Sequence, residues 1–245
     1  MNLLLTNDDG ISSEGIKALE TVLQRKYSTY LIAPLKERSA TSQALTIFDK
    51  MRVEKVLPGH YIVDGYPTDC VNIGLHGDIF PEIDMVISGI NRGVNMGHDV
   101  HYSGTVGAAR HGAIHNKYSF AISSGKVAKE ETYLEEAEIF LKILQKKFHW
   151  FRQGIVYNIN FPETYPEALE EICFTRLGVR TYSDTYTKTK LIGDIEDFHL
   201  GGSLLGCKIT ENSDFAAYDK QRISITPIVL DTTDYQELQK LQKDS

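Results

Sequence analysis

Short apolar runs alternate with helical patterns along the first part of the chain. Residues 1–5 form an apolar run that predicts a buried strand, and residues 14–25 carry apolar side chains at helical spacing. Tyr30–Pro34 predicts a second strand, which the proline ends. A strand, a helix and a strand in such short order predict a right-handed βαβ unit and a parallel sheet.

The same reading extends along the rest of the chain. It predicts two short strands at 46–57 and 60–64, which can pair as a hairpin, and a helix after Gly65 with Thr68 as its cap. Further strands are predicted at Asp84–Ile90, Tyr118–Ser123, Gly154–Phe161 and Arg222–Val229, and further helices at Val106–His115, 132–148 and Tyr235–Leu241. Residues 172–205 contain short β-like pieces, and residues 181–188 are polar enough to predict an exposed hairpin arm that meets another subunit. The prediction is a single α/β domain over residues 1–245.

Polar side chains follow several of these strands. Asp8 and Asp9 follow the first strand, Ser39 lies in the polar loop after the second, and Asn91 follows the strand that starts at Asp84. Parallel strands end on one edge of the sheet, so these groups are expected to converge there. Two adjacent carboxylates repel each other unless a cation neutralises them. The all-oxygen set suits Mg²⁺, Mn²⁺ or Ca²⁺ and is poor for zinc, although Asn-Asp-Asp-Gly is also a common polar turn.

The segment from Asn91 to Thr105 is the most unusual one in the chain. It holds three glycines and two asparagines, and its Ser103-Gly104-Thr105 opens a helix. Free backbone N–H groups and hydroxyls at a helix start form an anion site, and Ser103 can also act as the N-cap. With Asn95 as a further donor, a metal beside an anion site predicts phosphoryl chemistry, in which the ion neutralises phosphate charge and orients or acidifies a water.

Composition narrows the function classes. The net charge is −7 with no basic block, which argues against sequence-independent binding to nucleic acid or to an anionic membrane. No apolar run reaches the length of a membrane span, and the N-terminus lacks a signal peptide. The three cysteines, Cys70, Cys173 and Cys207, are widely spaced and form no CxxC pair. A cytoplasmic protein without a disulfide framework or a thiolate zinc site is therefore expected.

Several motifs occur in a recognisable order along nearly the whole chain. They are Thr-Asn-Asp-Asp-Gly at 6–10, Ala-Pro at 33–34 with Arg-Ser-Ala-Thr-Ser at 38–42, Pro-Thr-Asp-Cys-Val at 67–71, Ser-Gly-Ile-Asn-Arg-Gly-Val-Asn-Met-Gly at 88–97, Asp-Val-His-Tyr-Ser-Gly-Thr-Val-Gly-Ala-Ala-Arg at 99–110, Asn-Ile-Asn-Phe-Pro at 158–162 and Ser-Ile-Thr-Pro at 224–227. On these motifs the chain resembles the SurE family of survival-protein nucleotidases. The second and fifth of these motifs, at 33–42 and 99–110, are long and specific, which argues against coincidence.

The resemblance implies a metal-dependent phosphatase that acts on nucleoside 5′-monophosphates, and in some members on 3′-monophosphates or short polyphosphate. It implies one divalent ion per subunit, Mg²⁺ or Mn²⁺ or, in a crystal, Ca²⁺. The implied metal ligands are Asp8, Asp9, Ser39 and Asn91, the implied catalytic residues are Asp8, Asp9 and Asn95, and the implied phosphate-binding residues are Asn95, Ser103, Gly104 and Thr105. The implied fold is a Rossmann-like, three-layer α/β domain with a mostly parallel sheet. Its C-terminal extension, near residues 170–245, is exchanged between the subunits of a homodimer or homotetramer.

Some alternatives stay open at this point. A water activated by Asp8 and a direct attack by a carboxylate are both possible, and the lack of an Asp-x-Asp spacing favours water. A non-catalytic nucleotide-binding module would need the same groups, whereas a dinucleotide-dependent oxidoreductase is disfavoured because no G-x-G-x-x-G follows the first strand. His111 stands where the family usually has Glu, and His101 is either a proton donor or an exposed loop residue.

Overall fold

The computed structural model describes residues 1–126, 130–164, 171–192, 195–201 and 206–244. The strands are β1 (Asn2–Thr6), β2 (Ser28–Pro34), β3 (Val53–Leu57), β4 (His60–Val63), β5 (Met85–Arg92), β6 (Tyr118–Ser124), β7 (Val156–Phe161), β8 (Cys173–Phe174), β9 (Val179–Thr181), β10 (Thr185–Ile192), β11 (Ile195–Gly201), β12 (Gly206–Lys208) and β13 (Ser224–Ile228). The helices are α1 (Glu14–Leu23), α2 (Pro67–His76), α3 (Gly104–Ile114), α4 (Glu130–Lys147), α5 (Asp214–Asp219) and α6 (Tyr235–Asp244), with 3₁₀ turns at Gly97–His101 and Phe148–Trp150.

The main sheet has the strand order β3-β4-β2-β1-β5-β6-β7-β13-β8. The six strands from β4 to β7 in that order run parallel to one another. β3 and β13 pair antiparallel to their inner neighbours, β4 and β7. The chain leaves β1 toward β2 on one side and later returns to β5 on the other, so the strand order reverses between β1 and β5. In open α/β sheets such a switch point is where ligands bind.

Helices cover both faces of this sheet, and the side chains of β1 alternate between the two. Leu3 and Leu5 pack in the cluster that includes residues of α1 and α4. Leu4 points the other way, into the cluster that includes Cys70 of α2 and Ala108 of α3. All three leucines are fully buried. The predicted three-layer α/β fold with a mostly parallel sheet is therefore confirmed.

Some predicted boundaries were wrong. The first strand of the predicted hairpin begins at Val53 and not at residue 46. The backbone N–H of Thr46 donates to Asp69 Oδ1 at 2.8 Å, so it does not take part in strand pairing. Thr68 does not cap α2. Tyr66 is the N-cap, and its backbone N–H donates to Asp69 Oδ2 at 2.8 Å. The six-residue helix α5 was not predicted.

The C-terminal third of the chain divides its strands between the main sheet and smaller ones. β8 and β13 join the main sheet, while β9 pairs with β12 and β10 pairs with β11. The predicted hairpin arm is thus present as β10 and β11, although residues 193–194 and 202–205 of the β-like segment lie outside the described residues. Its role as an oligomerisation extension stays a prediction. Within the described part of the chain, none of the helices has the length and apolar character needed to cross a membrane.

Glu136 is a carboxyl group inside the α4 layer. Its side chain is fully buried, and the Ser124 hydroxyl donates to its Oε1 at 2.7 Å. Its Oε2 is buried without a hydrogen-bond partner among the described residues. Burial raises the pKa of Glu136 to about 8.

We expect Glu136→Gln to change how stability depends on pH. Because the folded-state pKa lies above the ordinary value, the folded protein keeps a proton that the unfolded chain loses between about pH 5 and pH 8. The wild type therefore loses stability as the pH rises through this window, and the variant does not. Relative to wild type, the free energy of unfolding of the variant should rise by about 1 kcal/mol per pH unit in urea titrations. Glu135→Gln, which changes a mostly exposed neighbour, is the control, and a pH-independent difference for Glu136→Gln would contradict the prediction.

Candidate active site

A cavity of about 790 Å³ opens at the switch point between β1 and β5. Its volume is in the range of small-molecule binding sites. The predicted residues that line it are Asp8, Asp9, Ser39, Asn91, Asn95 and Ser103. Gly104 and Thr105 lie next to this wall, against Asp8. The structure thus brings the predicted residues together, while their individual roles stay predictions.

The turn after β1 is closed by a buried asparagine. Asn7 Nδ2 donates to the Gly10 carbonyl at 2.9 Å, and the Gly10 N–H donates to Asn7 Oδ1 at 3.0 Å. Asn7 Nδ2 also lies 2.7 Å from the Ser13 hydroxyl, just before α1. This closed turn fixes the backbone that carries Asp8 and Asp9.

The first turn of α3 packs directly on Asp8. The fully buried Thr105 donates its hydroxyl to Asp8 Oδ1 at 2.6 Å. A Cβ atom on Gly104 would lie 3.0 Å from both Asp8 Cβ and Asp8 Oδ2, so a larger residue would push against the carboxylate. Gly104 and Thr105 therefore act on Asp8 in this structure, and direct contact between either residue and a phosphate is not shown.

The cavity is acidic. Burial raises the pKa of Asp8, and burial together with the neighbouring Asp8 raises the pKa of Asp9 to about 6. The backbone N–H and the guanidinium of Arg92 act in the opposite direction on Asp9. Among the described residues, the charged side chains on the cavity wall are the carboxylates Asp8, Asp9, Glu37, Asp99 and Asp184 and the guanidiniums Arg92 and Arg180. Negative charge is therefore in excess.

The loop that carries Ser39 is fixed to the backbone at both ends. The Arg38 N–H donates to the Asp8 carbonyl at 2.7 Å, and the Ser42 N–H donates to the Tyr102 carbonyl at 2.8 Å. Ser39 itself is exposed and donates its hydroxyl to Glu37 Oε1 at 2.7 Å. A serine oxygen with its proton directed elsewhere keeps lone pairs for a cation.

Asn91 lies at the end of β5, after a break in the strand register. The pairing of β5 with β6 shifts between Ser88 and Asn91. Gly89 adopts a φ of +137°, and a Cβ atom there would lie 2.4 Å from the Ile122 carbonyl oxygen, so only glycine fits. Asn91 Nδ2 donates to the Gly93 carbonyl at 2.8 Å. This contact assigns the amide nitrogen to the backbone and leaves the amide oxygen available to a ligand.

Asn95 is held by amide side chains from β7. Its backbone N–H donates to Asn160 Oδ1 at 2.8 Å, and its carbonyl accepts from Asn158 Nδ2 at 2.8 Å. Its own Nδ2 donates to the Ser123 hydroxyl at 2.9 Å. The sequence predicted a strand over Gly154–Phe161 and a family motif at 158–162, but the function of the two asparagines in holding Asn95 was missed.

Ser103 caps α3 through its hydroxyl oxygen. Its Oγ accepts from the Val106 N–H at 3.2 Å, which confirms the predicted N-cap. Because the oxygen is the acceptor in this contact, the hydroxyl proton stays available for an anion in the cavity. The anion would also lie near the positive end of the α3 dipole.

The two histidines left open by the sequence lie away from the cavity wall. His101 is exposed. His111 is buried between α3 and α2, with Nε2 3.2 Å from Asn72 Oδ1 and its ring centroid 4.7 Å from that of His115. Burial lowers the pKa of His111 to about 4. His111 therefore belongs to the contact between these two helices and lies apart from the proposed ligands.

Asp99, Arg180 and Tyr182 form a bonded group on the cavity wall that was not singled out from the sequence. Arg180 Nη2 donates to Asp99 Oδ2 at 2.7 Å, and the Tyr182 hydroxyl donates to Asp99 Oδ1 at 2.8 Å. Burial and the bond to Asp99 raise the pKa of Tyr182. More than 80 positions separate Asp99 from its partners, so no local pattern could have joined them.

The buried Asp214 bonds to two segments that are distant in sequence, one near Gly97 and one near Gly178. Its carboxylate accepts from the Gly97 N–H at 2.7 Å and from the Gly178 N–H at 2.8 Å. Gly97 belongs to the segment between Asn95 and Ser103, and Gly178 directly precedes β9. The segment between Asn95 and Ser103 and the C-terminal part of the chain therefore share the Asp214 carboxylate as a hydrogen-bond acceptor.

The donor set fits a hard cation. Among the described residues, no cluster of three or more His, Cys, Asp or Glu side chains is arranged to hold a metal ion. The set predicted here has two carboxylates and is completed by the Ser39 hydroxyl and the Asn91 amide oxygen. These are the ligand types of Mg²⁺ and Mn²⁺, and they lack the nitrogen and sulfur donors that zinc favours.

Comparisons with known proteins identify the family of this chain. The family model described as "Survival protein SurE" matches residues 3–184. A protein named 5′-nucleotidase SurE from Leptospira interrogans is 60% identical over 98% of this chain and 96% of its own length. A protein of the same name from Carboxydothermus hydrogenoformans is 38% identical over 99% of this chain and 95% of its own length. A crystal structure of a SurE protein from Aquifex aeolicus superposes with a TM-score of 0.83 at 30% identity, covering 99% of both chains.

We expect Thr105→Val to weaken divalent-metal binding. Valine has nearly the shape of threonine but cannot donate to Asp8, and loss of such a supporting contact typically costs 10- to 100-fold in metal affinity. Thr105→Ser keeps the hydroxyl and should stay within about threefold of wild type. Calorimetric titration with Mn²⁺ measures the effect, and thermal unfolding checks that both variants fold. Equal Mn²⁺ affinities with a raised KM for substrate would instead assign Thr105 to the phosphate.

Proposed function

Since the chain belongs to the SurE family, we propose that it is a metal-dependent 5′-nucleotidase. It hydrolyses nucleoside 5′-monophosphates to a nucleoside and inorganic phosphate. The name of the Leptospira interrogans relative, which is 60% identical over nearly the whole chain, supports this activity. The cavity at the switch point supports it independently, because its size and its polar groups suit a phosphorylated small molecule.

The acidic wall of the cavity is the observation that carries the proposal. A phosphate dianion would be repelled by a site in which carboxylates outnumber guanidiniums. Asp8, Asp9, Ser39 and Asn91 would hold one Mg²⁺ or Mn²⁺ ion, which supplies positive charge to the phosphoryl oxygens and makes water more acidic. A carboxylate-rich site is thereby converted into one that accepts phosphate.

Asn95 and Ser103 are the proposed phosphate-binding side chains. Asn95 is fixed on both its backbone and its amide by Asn158, Asn160 and Ser123, so it needs no rearrangement when the substrate arrives. Ser103 offers its hydroxyl proton at the start of α3. Gly104 and Thr105 contribute through Asp8, and direct phosphate contact by either stays a prediction.

Water is the proposed nucleophile, and Asp8 is the proposed acceptor of its proton. The water oxygen forms a bond to phosphorus as the bond to the 5′ oxygen breaks. The proton that Asp8 takes from the water is passed to that 5′ oxygen, so the products are a nucleoside and inorganic phosphate, and Asp8 returns to its carboxylate form. Asp9 lies beside Asp8 and completes the carboxylate pair. Asn95 and Ser103 keep the phosphoryl group in line during transfer.

The state of the cysteines bears on the proposed location of the protein. The three cysteines are free, which supports a reducing cytoplasm.

An isolated two-stranded hairpin is only marginally stable, yet β10 and β11 form such a hairpin with Tyr186, Ile195, Phe198 and Leu200 more than half exposed. We therefore propose that residues near 170–245 form an extension through which the chain assembles into a homodimer or homotetramer.

Phosphate release from a panel of nucleoside monophosphates tests the activity. We expect release with Mg²⁺ or Mn²⁺ and none with a chelator. Asp8→Asn and Asn91→Ala should each lower kcat/KM by 100-fold or more, because each removes an oxygen from the proposed metal-ligand set. Asp49→Asn, an exposed aspartate outside the cavity, should retain wild-type activity.

A non-catalytic nucleotide-binding module is the competing function, since it would need the same oxygens and donors. It predicts that the folded wild type binds monophosphates and releases no phosphate with either metal. That result would contradict the enzyme proposal.

Assembly through the arm is tested by its exposed apolar side chains. We expect the double variant Ile195→Ser/Phe198→Ser to elute as a 27.6 kDa monomer in size-exclusion chromatography with light scattering, because its contacts to the other subunit lose their apolar area. Ile47→Ser changes a side chain with the same 70% exposure as Ile195 but outside the arm. It should keep the wild-type mass. A monomeric wild type, or an unchanged mass in the double variant, would contradict the proposal.

A further inference from the structure

The cavity wall carries an aromatic pair besides its carboxylate and amide groups. Tyr102 and Tyr182 both line it, with ring centroids 5.9 Å apart and ring planes at 88°. The exposed fractions are 58% for Tyr102 and 37% for Tyr182. An edge-to-face pair covers one face of only one ring, so aromatic surface is left for a ligand.

The Tyr182 ring is held by contacts that the proposed phosphate site does not need. The Tyr182 hydroxyl donates to Asp99 Oδ1 at 2.8 Å, and Asp99 is also bonded by Arg180 at 2.7 Å. The Arg180 guanidinium in turn lies 4.7 Å from the centroid of the Phe215 ring. These contacts fix the position of Tyr182 before any ligand binds.

Tyr102 is fixed through its backbone. Its N–H donates to the Asp99 carbonyl at 3.0 Å, and its carbonyl accepts from the Ser42 N–H at 2.8 Å. Asp99 is thus common to both tyrosines, through its main chain for one and its side chain for the other. An aromatic surface that is ordered in advance binds a flat ligand at a lower entropic cost.

The sequence places this surface next to the phosphate site. Tyr102 directly precedes Ser103, whose hydroxyl faces the cavity. A phosphate at Ser103 and Asn95 would leave the rest of the substrate near the tyrosines. In a nucleoside 5′-monophosphate, that part is a ribose followed by a flat aromatic base.

We propose that Tyr102 and Tyr182 form a nucleobase subsite that stacks on the base of the substrate. This inference rests on the proposed nucleotidase function and adds the source of its preference for nucleotides over other phosphate monoesters. Every base has a π face, so stacking accepts purines and pyrimidines alike. Arg180 and Asp99 are bonded to each other, which leaves them poorly placed to read the edge of a base. The subsite therefore selects for the presence of a base more than for its identity.

The test compares AMP with ribose 5-phosphate, which has the same phosphate and sugar but no base. In the wild type, kcat/KM should be about tenfold or more higher for AMP, as stacking of one base predicts. Tyr102→Ala should lower the ratio of the two kcat/KM values about tenfold, mainly through the KM for AMP. Tyr102→Phe keeps the ring and should keep the ratio, and Tyr235→Ala, with the same 58% exposure on α6, is the matched control.

Each outcome separates the subsite from the nucleotidase itself. Equal kcat/KM for AMP and ribose 5-phosphate in the wild type, or an equal loss on both substrates in Tyr102→Ala, would overturn the subsite and leave the nucleotidase standing. If the wild type hydrolyses neither substrate, the nucleotidase fails, and calorimetric binding of AMP and ribose 5-phosphate with Mn²⁺ decides the subsite. Tighter binding of AMP that Tyr102→Ala removes would support it, and equal binding of both ligands would overturn it.

Discussion

Two adjacent carboxylates at the end of a buried strand are the constraint on which the active-site end of this molecule depends. Asp8 is almost fully buried, and burial raises the pKa of both Asp8 and Asp9. Such a pair is unfavourable by itself, since each charge is desolvated and repels the other. Much of the neighbouring structure serves to hold the pair in place. Asn7 closes the turn, and Thr105 donates to one carboxylate.

A group whose charge is unfavourable in isolation is informative about what binds there. The oxygen donors contributed by Ser39 and Asn91 lie on the same wall as the two carboxylates. Geometry and charge point to a divalent cation, and the family relationship points to a phosphatase. These two lines of reasoning are independent, because the first uses only the contacts within this chain.

The sequence predicted the layers of the fold and the edge on which the site lies. Leu3-Leu4-Leu5 is apolar at every position, which is typical of a strand buried on both faces, and parallel strands must end on one side. Long-range polar contacts were beyond such reasoning. Asp69 accepts from Thr46, 23 positions away, and Asp99 accepts from Arg180, 81 positions away. Periodicity reports the face on which a residue lies, but it does not report which distant partner it meets.

Asp214 shows that this chain cannot be divided into a catalytic part and a dispensable tail. One buried carboxylate accepts from Gly97, in the loop that joins Asn95 to Ser103, and from Gly178, at the start of the C-terminal strands. A chain that stopped near residue 170 would leave the Gly97 N–H without its acceptor, and a buried N–H without a partner destabilises the loop around it. Truncation from the C-terminus would therefore damage the active site, although the cut would be remote from it in sequence. The last third of the chain therefore helps to hold the loop between Asn95 and Ser103 in place.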